Sequence, residues 1–365
     1  MFEKKRNLSL DGLKCLFAIL IVAYHFHVNF YSSGSDLKYL SGGYLAVEGF
    51  FIISGFLLGG SIKRRILAKP VSLSNFDIAK KFIKDRYLRL FPEYFLVLLA
   101  TIFLCAILKE KINYNILLPN LLLIANIDGI GSIVRDAWFI SSLFYISIFY
   151  FFIITCFRKN YQLIIILLVF ITLAILVNGF GGIAIHSGPF LGYFSGSIYR
   201  TLFDIGIGLL IYEFRGDFER TIKPKIIPIL EIIASIVSIY YITHGNKGIN
   251  NIFFVIPFSI LVLTLITPPR THFSLLKVIL ENRLFRTLSP YSYMLFLCHL
   301  MLIERANRYA RDIVLSINPI LSLSLAIILS ILLSVVLKKI SDFFWPNFCS
   351  FFIMVNYQIK CKVTE

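Results

Sequence analysis

A succession of apolar runs, several close to 20 residues long, constrains this chain more than any other feature of its sequence. An α-helix rises 1.5 Å per residue, so about 20 apolar residues cross the roughly 30 Å of hydrocarbon in a bilayer. With 58% hydrophobic residues and a mean hydropathy of +0.81, the 365 residues have the composition of a polytopic integral membrane protein. The runs predict spans at about 10–30, 42–60, 91–108, 138–156, 162–178, 201–213, 226–243, 251–268, 288–304 and 317–337. The expected fold is an all-α bundle of about ten transmembrane helices. It forms one polytopic domain over residues 1–365, with the motif-bearing region at about 8–340 and an interfacial tail at about 341–365.

A formal net charge of +16 would point to nucleic acid in a soluble chain. Here the Lys and Arg fall between the apolar runs, so topology explains the charge and no nucleic-acid partner is expected. With the N-terminus inside, about 26 basic residues lie in inner segments against 9 in outer ones, and the positive-inside rule then puts both termini in the cytoplasm. MFEKKR and the run after it lack an A-x-A cleavage site and read as a retained signal-anchor. The six cysteines show no paired spacing, so neither a disulfide framework nor a metal site is indicated. The longest polar interval, residues 61–90, has Ile78, Phe82, Tyr87 and Leu90 between basic residues and predicts an interfacial helix. Pro346, within the apolar tail, favours docking at the interface over an eleventh span.

Ionisable groups inside the spans are the functional candidates, because burying them in hydrocarbon is costly. Lys14 and His25 are eleven residues apart, three turns plus about 20°, so they share a face of the first span about 16 Å apart. His25 falls in the outer half of the membrane, either as a base or as a hydrogen-bonded packing residue, while Lys14 could also reach the inner headgroups. His27 points about 200° away from His25. Glu48 lies at a similar depth in the second span, with Gly55 and Gly59 following on its face; that glycine stripe predicts a closely packed neighbour, with Glu48 either reaching outer water beside a packing face or orienting or charging His25. Arg86 and Arg89, three apart before the third span, form either a receptor for phosphate or a positive-inside anchor. Trp138 reads as an interface anchor, Asp204 as a partner of Arg200 four residues away, and His299 as a second candidate for a polar cavity. His186, His244 and His272 fall in expected loops.

LDGLKCLFAILIVAYH, with ten residues between Lys14 and His25, resembles the opening motif of the membrane-bound acyltransferase-3 family. VEGFFIISGFLL, with Glu48, Ser54 and Gly55, is similar to its second-helix motif, and RYLR before a Pro to its R-x-x-R; AWFISSLFY and YSYMLFLCHL are weaker echoes. Glu48 stands where Asp is commoner and Lys14 where Arg is frequent. Charge is kept at both positions. The resemblance implies a bacterial glycan O-acyltransferase of the cytoplasmic membrane that moves an acyl group, acetyl from acetyl-CoA, to a carbohydrate hydroxyl on O-antigen, capsule or exopolysaccharide, carried on undecaprenyl or exported. It implies no permanently bound cofactor. His25 and Glu48 would be catalytic; Lys14, Ser54, Arg86, Arg89, Trp138 and His299 would bind donor or acceptor, with the Ser54–Gly55 pair read as a turn. His25 would act as base or carry the acyl group transiently. A transporter or flippase for a glycan or lipid-linked intermediate would also line a cavity with intramembrane charge, but inverted repeats are not evident; a glycan polymerase would call for a large outer polar loop.

Overall fold

The computed structural model describes residues 7–31, 40–67, 74–125, 131–183, 189–190, 194–245, 248–268 and 273–363, with side chains to Trp345. His186 and His272, and the basic residues Lys38, Lys69, Lys247 and Arg270, lie outside the described residues. Fourteen α-helices follow one another: α1 (Leu8–Phe30), α2 (Ala46–Leu67), α3 (Asn75–Ile107), α4 (Leu117–Leu121), α5 (Ala137–Cys156), α6 (Tyr161–Phe180), α7 (Gly196–Thr221), α8 (Ile227–His244), α9 (Val255–Ile266), α10 (Leu275–Leu280), α11 (Arg283–Leu288), α12 (Ser292–Tyr309), α13 (Arg311–Ser316) and α14 (Pro319–Val363). Pro189–Phe190 and Phe194–Ser195 pair as a minimal antiparallel ladder just before α7.

Among the described residues, eight helices are long and apolar enough to cross a membrane. The sequence reading of about ten also counted α7 and α12, which take the expected places in the chain but carry Arg200, Asp204 and Glu213, or Glu304, Arg305 and Arg308, and so fall outside that set. The bundle is apolar on its outside as well as in its core. α6, α8 and α14 present Phe170, Ile171, Ile236, Ile239, Ile328 and Leu332 outward, as lipid-facing helices do, while α1, α2, α5 and α12 are buried in the centre.

Residues 61–90 do not make a separate interfacial helix. Their start completes α2, and from Asn75 onward they are the first half of α3, opened by a capping box between Ser74 and Asp77. α3 then runs through Pro92 without a break, about 50 Å in all, so Arg86 and Arg89 sit within one rod continuous with the span. Pro346 likewise lies inside helical backbone, because α14 continues to Val363.

The far end of α3 is tied to α12. Glu110, just beyond the helix, accepts hydrogen bonds from Arg305 at 3.0 Å, Arg308 at 2.7 Å and Tyr309 at 3.0 Å, with the Cys105 thiol at 3.2 Å. Burial alone would raise its carboxyl, but the Cys105 and Tyr309 hydrogen bonds and the two guanidiniums hold it below the usual carboxylate range. A depressed acid stabilises the fold above its unfolded pKa and loses that contribution as pH falls through its folded value. Glu110→Gln is therefore expected to lower Tm in detergent at pH 7, with the gap to wild type closing under acid; thermal melts across pH check it.

Candidate active site

The glycines of α2 determine what Glu48 meets. A Cβ on Gly55 would stand 2.3 Å from the Ile205 carbonyl oxygen, and one on Gly208 would stand 2.1 Å from that of Ile52, so α2 and α7 touch backbone to backbone. The glycine stripe thus admits a neighbour as its spacing predicts, and that neighbour is α7. Two turns toward the helix start, the fully buried Glu48 receives Arg200 of α7: Nε donates to Oε2 at 2.8 Å and a terminal nitrogen to Oε1. Arg200 also donates to the Tyr44 carbonyl at 3.3 Å, and its guanidinium lies 5.4 Å from the Trp138 ring centroid.

Four expectations change here. Glu48 was read as the group that orients His25, and its carboxylate is engaged by Arg200 at both oxygens. Arg200 was read as Asp204's local partner, yet its fork matches the planar face of Glu48, and Asp204, also fully buried, stands beside the pair with its carboxyl against that of Glu48 and within reach of the Arg200 charge. Trp138 was read as an interface anchor and is 7% exposed, packed between Arg200, Phe51 and Phe139. Ser54 and Gly55 form no turn: both are in the middle of α2, with Ser54 half-buried.

His25 lies half-buried about 26 Å along α1. Its ring meets Tyr24, which contacts Tyr44, and on the other side His299 of α12, with centroids 5.2 Å apart. The structure thus brings together two histidines that are 274 positions apart in the chain. His299 is fully buried, and its Nδ1 lies 2.7 Å from the Phe296 carbonyl oxygen. A carbonyl only accepts, so Nδ1 carries the hydrogen and Nε2 is left as a lone pair or a second N–H. Nε2 faces Asp136 Oδ2 at 3.7 Å, too far for a hydrogen bond. Asp136, at the N-cap of α5, was not singled out from the sequence; the available signal was an acid two residues before Trp138 at the mouth of an apolar run. Phe50, Phe139 and Phe296 pack together beside these groups.

Lys14 shares the half-buried side of α1 with His25 and forms an ion pair with Asp11 at 2.6 Å. Arg86 and Arg89 lie apart from both histidine and carboxylate clusters. Arg86 and Arg65 each place a guanidinium about 5.5 Å from the Phe82 ring, Arg65 pairs with Asp85 at 2.9 Å, and Arg89 is exposed. A cavity of about 740 Å³ lies near the α5–α6 turn, lined by Asn75, Phe76, Phe151, Phe152, Arg158 and Lys159 among others, and includes none of the residues singled out in the sequence.

Chemically, the centre of the bundle offers one imidazole with partial access, a second imidazole and a carboxyl behind it, and a buried carboxylate–guanidinium pair to the side. That set can move a proton at His25 and hold the surrounding helices rigid while it does so. A family described as an acyltransferase domain matches residues 7–339. Among characterised relatives, the O-acetyltransferases OatA of Staphylococcus aureus strains COL and NCTC 8325 are each 30% identical over 144 residues, or 39% of this chain. That alignment spans only a fifth of the length of those relatives, 20%. No solved structure matches the chain. With the family match running through α1 to α14, over the His25, Glu48, Arg86–Arg89 and His299 motifs, the chain belongs to this acyltransferase family.

Proposed function

We propose that the protein transfers an acyl group, acetyl from acetyl-CoA, to a hydroxyl of a cell-surface or lipid-linked carbohydrate at the bacterial cytoplasmic membrane. His25 removes the proton from the acceptor hydroxyl as its oxygen attacks the thioester carbonyl; the proton then leaves with the departing thiol. The observation that carries this reading is the half-buried His25 ring, set against His299 at the centre of a bundle that otherwise excludes water. Glu48 acts through Arg200, keeping α2 and α7 in register beside the histidine, and Trp138 lies over that guanidinium. Lys14, one turn-aligned step inward on α1, guides the donor, and Ser54 belongs to the same path.

In this reading both termini are cytoplasmic, which puts Arg86 and Arg89 on the side from which an acyl-CoA arrives. The arginine cluster around Phe82 supports a role in binding its phosphates: Arg89 is exposed, and Asp85 already neutralises Arg65. Replacing Arg86 and Arg89 by Ala is expected to raise the acetyl-CoA concentration for half-maximal transfer about tenfold or more, since each charge-assisted contact is worth about 1.5–3 kcal/mol. An unchanged concentration dependence makes the pair an anchor only. The reading as a whole is tested by incubating membranes that contain the protein with radiolabelled acetyl-CoA. Label in glycan supports it; glycan transport without label supports a transporter.

A further inference from the structure

The gap between His299 and Asp136 has two features that do not fit an accident of packing. His299 Nε2 and Asp136 Oδ2 are both buried, 3.7 Å apart, and neither has another hydrogen-bond partner among the described residues. Because Nδ1–H is already committed to the Phe296 carbonyl, an unprotonated Nε2 and an ionised carboxylate would be two acceptors aimed at each other in a dry interior. One proton between them removes that conflict. It can sit on Nε2, giving an imidazolium against a carboxylate, or on Oδ2, giving two neutral groups. Away from water the neutral pair is favoured, since separating charge there costs several kcal/mol per ion.

We propose that Asp136 is a positioning residue held as a neutral carboxylic acid, whose O–H closes onto His299 Nε2 and so fixes the His299 ring against His25. This rests on the reading of His25 as the reacting base and adds the group that braces it from behind. Burial pushes the Asp136 carboxyl, which lies one residue outside α5, up to about 8; Glu304 adds to the shift and Arg135 opposes it. These two neighbours pair with each other at 2.5 Å, so the charges nearest Asp136 largely cancel. The remaining groups facing it are His299 and, behind that ring, His25; the Arg200 charge on the far side of Trp138 is matched by Glu48.

Asparagine tests the assignment because its amide can donate to Nε2 as a carboxylic acid does, but cannot ionise. Asp136→Ala is expected to lower kcat for acetyl transfer about 10- to 100-fold, the cost of misplacing a reacting group by about 1 Å. Asp136→Asn recovers most of that loss, and its pH profile lacks the alkaline decline near 8 expected of the wild type. An Asn variant as impaired as the Ala variant, or one that keeps the wild-type alkaline decline, overturns the proposal.

A second measurement needs no activity, so it separates failure of this assignment from failure of the acyl-transfer reading. An acid with a raised folded pKa loses stability as pH climbs from its unfolded value, about 4, to its folded value and levels off beyond. The Tm of Asp136→Asn minus that of the wild type, in detergent, is expected to grow from pH 5 to 8 and then stop growing. A difference that does not change with pH overturns the proposal, whatever the acetyl-transfer assay shows.

Discussion

Replacing His25 by alanine is expected to lower acetyl transfer by about 10²- to 10⁴-fold, the range in which a positioned base contributes to rate. Folding is expected to survive, because the change removes a half-buried ring and leaves no charge stranded in the interior. Quantifying labelled acetate in glycan at matched levels of folded protein checks the first part, and size exclusion in detergent the second. His27→Ala is the natural control: it is two residues along, with its ring stacked on Tyr31 rather than on His299, and it should retain transfer. Normal transfer by the His25 variant would remove the base mechanism altogether.

The largest loss of stability is expected from Glu48→Ala. The pair it breaks is almost wholly buried, with 3% of the Arg200 side chain exposed and none of Glu48, so the surviving guanidinium would lose its fork and keep only the Tyr44 carbonyl, the Trp138 ring and the nearby Asp204 carboxyl. Removing one partner of such a pair typically costs about 3–5 kcal/mol, because the other charge stays buried without compensation. The double variant Glu48→Gln with Arg200→Gln should recover part of that loss, since both charges are then gone. Melts of Glu48→Gln, Arg200→Gln and the double variant give the coupling directly. If Glu48→Ala melted as the wild type does, the pair would hold nothing together, and the part given to Glu48 through Arg200 would fall with it.

These two residues also show what can be read from one dimension. Glu48 with Gly55 and Gly59 at helical spacing announces a close neighbour, because spacing along a single helix is set by local geometry. Which helix arrives is decided by packing, and Arg200 lies 152 positions away in a segment whose charges made it look like an outer flank with a local partner in Asp204. The same limit hid Asp136: its neighbour in space, His299, is on α12, and nothing in the spacing of either joins them. His25 and His299 were each legible as intramembrane histidines, but the contact between their rings was not. In the fold, apolar length located the helices well and polar stretches misled. Residues 61–90 look interfacial by composition, whereas from Asn75 onward they are helical backbone of α3, which continues past Pro92 although that residue donates no hydrogen bond.

The glycine seam between α2 and α7 has a bearing on how the protein is made. Ionisable residues within a membrane helix disfavour its insertion, and α7 carries both Arg200 and Asp204 in its first half. α2 is synthesised first and brings the buried Glu48 with it. A helix that enters the bilayer alone must carry its charges bare; one that slides along a track without side chains can surrender its guanidinium to a waiting carboxylate on the way in. Assembly of this protein then has a direction: α7 is a late guest whose place α2 has kept, and a bulky residue at Gly55 or Gly208 would show itself first as a failure of membrane integration.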